Sequence, residues 1–294
     1  MENTNISPER QKAIRAIKIL LFSASVIPVL VGGAIADSIN KFNLLYFILA
    51  GFGLFIGQAG GDYLYYYFTH RHTDERDSHS KIFAGWRPLF ADNLPEEKGT
   101  LYAGITCLII DLAIAVYFTY ELGYGIILLA LFGGLIAIFF TPLMLKGYKE
   151  PVIFVTFGPM CVFGMYYVMA VHFDWMPVVI SLPIAFFVTV VAYLKGAHFE
   201  VKKEETGDVI LNLNNKHIII LYVLGFFSLI LPAILGFTPM ASLAGLITIP
   251  VAISVVKTAK STNQVQNYLW AVVRSLIAFD LLGIIIALSF IIKF

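Results

Sequence analysis

The run YGIILLALFGGLIAIFFTPLML, Tyr124 to Leu145, carries no charged side chain over 22 residues. About 20 helical residues cross a hydrocarbon core, so this segment alone is long enough to span a bilayer. A soluble helix of that length needs a polar face, and this one has none. Eight further apolar segments read the same way, approximately Ile17–Ala36, Leu44–Gly61, Leu101–Tyr120, Pro151–Val171, Met176–Leu194, Ile218–Leu235, Met240–Val256 and Ala271–Ile292. Composition agrees: of 294 residues 59% are hydrophobic and 13% charged, with a mean hydropathy of +0.83, far outside the range of soluble domains. The expectation is an all-α polytopic membrane protein, a single domain over residues 1–294 with nine transmembrane helices around a central cavity.

The basic residues give that layout an orientation, because Lys and Arg gather on the cytoplasmic side of short loops. The N-terminal arm and the connections after spans two, four, six and eight hold 18 of the 20 basic residues, leaving Lys41 and Lys293 on the other side. The N-terminus is therefore expected in the cytoplasm, with residues 1–16 a polar arm. "VGGAIADS" carries the Ala34-x-Ala36 pattern of a signal-peptidase site, but the apolar run is longer than a signal peptide's usual core. Cys107 and Cys161 lie inside spans and read as buried small hydrophobes. A net charge of +1 offers nothing to nucleic acid.

Two inner connections are long and polar, about 62–100 and 195–217, and lie on the same side. One site built by both is the natural expectation. The first opens with "GGDYLYYYFTHRHTDERDSHSKIFAG", Gly60 to Gly85, in which Asp62 ends the apolar run and an aromatic cluster follows. The aromatics fit an interfacial belt or a wall that stacks on an isoprenoid chain and stabilises a cation. His70, His72 and His79 fit a solvated loop or, at i, i+2 spacing, a transition-metal site. In the second connection Glu200 and Glu204 stand four apart, which on a helix puts both on one face. Such a pair can hold Mg²⁺ and bridge it to phosphate, or form a self-neutralised turn with Lys202 and Lys203. Asp111 and Asp280 fall well inside spans, where a carboxyl faces protein or a cavity.

Together these residues resemble the UbiA-type intramembrane prenyltransferases, nearest the branch that prenylates 1,4-dihydroxy-2-naphthoate. "SASVIPVLVGGAIA" is similar to that branch's start at Ser25, Pro28 and Gly32. "YKEPVIFVTFGPMCVFGMYYV" is similar to its fifth span at Glu150, Phe154, Phe157, Gly158, Pro159, Gly164, Tyr166 and Tyr167. The resemblance implies an isoprenoid chain transferred from a prenyl diphosphate to an aromatic, quinone-precursor-like or lipid acceptor, with Mg²⁺ as cofactor. It implies Asp62, Glu200 and Glu204 as the catalytic and metal-binding acids, with Asp74 and Asp77 further along the first loop. Lys81, Lys146, Lys195 and Arg71 would contact phosphate, and Tyr63, Tyr66 and Phe157 the chain or cation. The family's first motif, Asn-Asp-x-x-Asp, here has Gly61 for the Asn and Tyr65 for the second Asp. The alternative is a divergent relative that binds a quinone, lipid or partner without prenyl transfer. A prokaryotic plasma membrane, with the site facing the cytoplasm, is the implied location.

Overall fold

The structure, a computed structural model, describes residues 8–72, 97–196, 199–201, 209–211, 214–260 and 265–292. Within them nine helical segments are long and apolar enough to cross a membrane, one for each expected run. The first is a bent pair, α1 (Pro8–Leu20) and α2 (Ser23–Ser38), followed by α3 (Leu44–His72), α4 (Glu97–Leu122) and α5 (Gly125–Leu145). The fifth span joins α6 (Lys149–Val155) through a π-turn (Thr156–Met160) to α7 (Cys161–Ala170). Then come α8 (Met176–Lys195), a short antiparallel pair β1 (Phe199–Val201) and β2 (Val209–Leu211), and α9 (Asn215–Ile234). A 3₁₀ segment (Met240–Thr248) leads into α10 (Ile249–Lys260), and α11 (Val265–Ile291) closes the chain. The protein is thus helical and membrane-embedded, as its apolar runs require.

Lipid supplies little hydrophobic drive between helices, so close packing must hold them together. Small residues allow that approach. A Cβ at Gly32 would stand 2.6 Å from the Val162 carbonyl oxygen and 2.7 Å from Met165 Cβ, so α2 and α7 touch there backbone to backbone. A Cβ at Gly158 would collide with Ala185 Cβ on α8. Pro159 lies in the same π-turn, where the wider register absorbs a residue that cannot donate to an α-helical ladder. Three of the glycines and aromatics resembling the family pattern therefore have packing roles: Gly32, Gly158, and Tyr166, which is fully buried. At Gly164 a Cβ would meet open space, and nothing in the packing explains that glycine.

The interior is built mainly from α2, α7, α8 and α11, with Phe187, Phe279 and Tyr268 fully buried among them. Ala34 and Ala36 are buried in α2, packed as a span and not laid open as a cleavage segment. Leu128, Leu44 and Ile247 are instead exposed, as lipid-facing positions must be. The carboxyl of Asp111 faces α3, where a Cβ at Gly53 or Gly57 would meet its oxygens at 3.2 and 3.0 Å. That intramembrane acid therefore faces protein. Asp280 Oδ1 is buried with no hydrogen-bond partner among the described residues.

Two local expectations change. The polar connection is expected from residue 62, but α3 continues as helix to His72. The run Tyr63 to Phe68 contains no Gly, Pro or capping residue to stop it. Glu200 lies on β1, opposite Ile210. Successive residues of a strand alternate sides, so the helical-face argument for Glu200 and Glu204 does not hold at Glu200. Gly196, next to the end of α8, and β-branched Val201, Val209 and Ile210 favour a hairpin over a further helical turn.

Candidate functional site

Three span ends meet at one edge of the bundle: the last third of α3, the start of α6 and the end of α8. Asp62 sits on α3 within electrostatic reach of Lys195, the last residue of α8. Lys195 is in turn within electrostatic reach of Lys149, the first residue of α6, as is Glu150 beside it. Gly147, at φ 85°, makes the tight turn after α5 that a side-chain-bearing residue adopts only with strain. That turn brings Lys149 back toward α8. Gly196 gives it room, since a Cβ there would stand 2.6 Å from Lys149 Nζ. The ammonium group therefore lies beside the C-terminal carbonyls of α8, where cations are favoured.

Neighbouring groups brace this cluster. Gln58, one turn before Asp62, also faces its carboxyl, and its Nε2 donates to the Leu21 carbonyl at 3.0 Å. Its Oε1 is buried with no partner among the described residues. Tyr268 of α11 donates its hydroxyl hydrogen to the Leu194 carbonyl, pinning the last turn of α8 from behind. Asp62, Lys149 and Lys195 are all half-buried. Asp62 lies by Lys195 and Glu150 by Lys149, so two ammonium groups and two carboxylates share a partly desolvated place. The two lysines are the groups of that arrangement able to contact an anion such as a phosphate ester, on which lysine acts as a point charge.

The expected site residues divide sharply. The structure brings together Asp62 and Lys195. Lys146 is exposed just beyond α5, and Lys149, three residues on, occupies the place expected for it. Tyr63 is buried against Ala59 with Phe22, Ala103 and Cys107 around them, so it packs helices together and does not line an open wall. Phe157 is half-buried against the main core, and Tyr66 is half-buried on α3. Tyr65, where the family pattern has its second acid, packs edge-on against Phe140 of α5 with ring centroids 5.8 Å apart. Arg71 lies on α3 and Glu200 on β1, with only their backbones described; Glu204, Asp74, Asp77, Lys81 and His79 lie outside the described residues.

Lys149 and Gln58 escaped the sequence reading. Lys149 had a signal, a lysine directly after a Gly-containing turn at the head of a span, but Lys146 beside it carried the same charge. Gln58 stands within an apolar run, where an amide needs a partner. As for Mg²⁺, no group of three His, Cys, Asp or Glu side chains occurs among the described residues.

Behind the cluster lies a cavity of about 390 Å³, lined by Glu150, Pro151, Phe154, Thr189, Tyr193, His217 and Leu221. Glu150 follows Lys149 by about 100° around the helix, and Tyr193 precedes Lys195 by about 200°. The cavity therefore opens on the side of α8 away from Lys195 and about a quarter turn around α6 from Lys149. The Tyr193 and His217 rings stack at its rim, 5.3 Å apart and 17° from parallel.

Nine helices among the described residues are long and apolar enough to cross a membrane, which makes this a polytopic integral membrane protein. The fold is shared with a solved structure described as a digeranylgeranylglyceryl phosphate synthase in membranes. The likeness has a TM-score of 0.53 at 18% identity and covers 96% of this chain and 99% of that one. No protein-family model matches the sequence, and no curated protein does.

Proposed function

We propose that the protein is a UbiA-type intramembrane prenyltransferase that moves an isoprenoid chain from a prenyl diphosphate to an aromatic or lipid acceptor. The observation that supports this reading most is the Asp62, Lys149 and Lys195 cluster at one edge of a fold shared with a synthase of a prenylated lipid phosphate. Lys149 and Lys195 would receive the diphosphate, and Asp62 would hold Lys195 in place. In the transfer the allylic C–O bond breaks and its electron pair leaves with the diphosphate. The acceptor supplies the pair for the new bond and gives up a proton. A cation-like transition state of this kind is stabilised mainly by fixed charges around the leaving group. Asp62 with Glu200, Glu204, Asp74 and Asp77 would hold Mg²⁺, whose contribution when bound is to neutralise the departing diphosphate. Lys81 and Arg71 complete the proposed phosphate contacts, and Tyr66 and Phe157 the contacts to the chain. The positive-inside pattern supports a site facing the cytoplasm.

A second reading, a divergent member that binds a quinone or lipid without transfer, is favoured by Tyr65, whose ring is committed to Phe140 where a metal-binding acid would stand. One experiment separates the two. Purified protein is titrated with labelled geranylgeranyl diphosphate at rising Mg²⁺, and diphosphate release is followed with a panel of acceptors. Release that is abolished in Asp62→Asn and Lys195→Met supports transfer. Absence of release at any Mg²⁺ concentration, whether or not the diphosphate binds, rejects transfer and supports the second reading.

A further inference from the structure

Away from this cluster, Arg274 of α11 is a half-buried cation with no acidic partner among the described residues. Its Nη1 donates to Ser254 Oγ at 2.9 Å and to Thr258 Oγ1 at 2.6 Å, both on α10. Neither hydroxyl carries a charge, so the guanidinium keeps its full positive charge at the membrane edge. Depth follows from Thr258, which lies in the last turn of the span Met240–Ala259. The Arg274 head group, bonded to it, is therefore level with the end of the hydrocarbon core.

The surroundings are shaped for an amphiphile. Below Arg274 on α11, Ile277, Leu281, Ile284 and Leu288 are all exposed, spaced three and four apart on one face. Along α10, Ile249 and Ile253 are exposed below exposed Lys257, at steps of four. Two lipid-facing stripes thus run side by side, each headed by a cation at the same edge. Ser254 Oγ only accepts in the bonds it makes among the described residues, which leaves its hydroxyl hydrogen to donate outward. A guanidinium at this depth without an acidic partner among the described residues calls for a counter-charge, and the group the bilayer supplies there is a lipid phosphate.

We propose that the α10 and α11 face binds a net-anionic phospholipid, its phosphodiester on Arg274, Ser254 and Lys257 and its acyl chains along the two isoleucine and leucine stripes. The site is separate from the Asp62 cluster and does not depend on prenyl transfer. The test is native mass spectrometry of the full chain in detergent with equimolar phosphatidylglycerol and phosphatidylcholine. Wild type should retain phosphatidylglycerol about fivefold better, a preference of the size expected for one basic residue at a membrane surface. Arg274→Gln should abolish the preference. Lys257→Gln, at an exposed position that folding does not need, should reduce it and serves if Arg274→Gln fails to fold. Equal retention by wild type overturns the proposal, as does an unchanged preference in Lys257→Gln together with a folded Arg274→Gln. Soluble glycerol phosphate is the remaining arm. If it displaces the lipid at equal concentration, free phosphate is the ligand and the lipid site is rejected.

Discussion

At Lys149 and Lys146 two lysines three residues apart meet different fates, because the turn at Gly147 aims one inward and leaves the other in the open. The proposed diphosphate role belongs to the first. Lys149→Met should weaken prenyl diphosphate binding by about tenfold or more, the scale of one charge-assisted contact. Lys146→Met should leave it unchanged, and equal losses in both would show general charge attraction at that edge. Neither variant is expected to alter the fold. Tyr65 makes a second residue-scale case: its aromatic partner Phe140 explains why a tyrosine suits that position whatever the chemistry nearby. Tyr65→Asp would place an acid where the resembling pattern has one yet lose an aromatic contact, at a stability cost of about 0.5–1.5 kcal/mol beyond lost burial. A lower unfolding temperature without gained Mg²⁺ dependence would match a purely packing role.

Helices pack here through a few contacts without spare room. A Cβ at Gly32 has no room against Val162 and Met165, and Gly32→Val should destabilise the protein by about 1–3 kcal/mol through overpacking. Gly164→Ala, facing open space, is the matched control and should change thermal stability little. If both lower the unfolding temperature alike, the close approach is not what holds those helices. Tyr268→Phe removes the hydroxyl that bonds the Leu194 carbonyl, at about 1 kcal/mol. Since that bond holds the turn bearing Lys195, the same variant should also weaken diphosphate binding, which a purely structural bond elsewhere would not do. The nine spans themselves were legible because lipid demands long uncharged runs. The extension of α3 to His72 was not, since its polar, aromatic end reads equally as helix or loop until neighbours are in place.

For the whole molecule the testable quantity is sidedness. Lys146 and Lys257 are exposed at the site edge and Lys41 at the opposite one. With the natural cysteines replaced, Lys146→Cys and Lys257→Cys should react with an impermeant thiol reagent only from the cytoplasmic side of oriented vesicles, and Lys41→Cys only from outside. Labelling of Lys146→Cys and Lys41→Cys from the same side would break the nine-span alternation. Reversed labelling would keep the alternation and overturn the proposed orientation.

Length, apolar periodicity and charge placement were enough to determine nine helical spans, because a bilayer leaves a chain few other ways to satisfy its backbone. The sequence also marked Asp62 and Lys195 as polar groups at the ends of spans. Which lysine joins them, that Tyr63 is packing and that Tyr65 answers to Phe140 were decided only by tertiary structure. Those outcomes depend on where helices from distant parts of the chain cross, and local pattern carries no record of that.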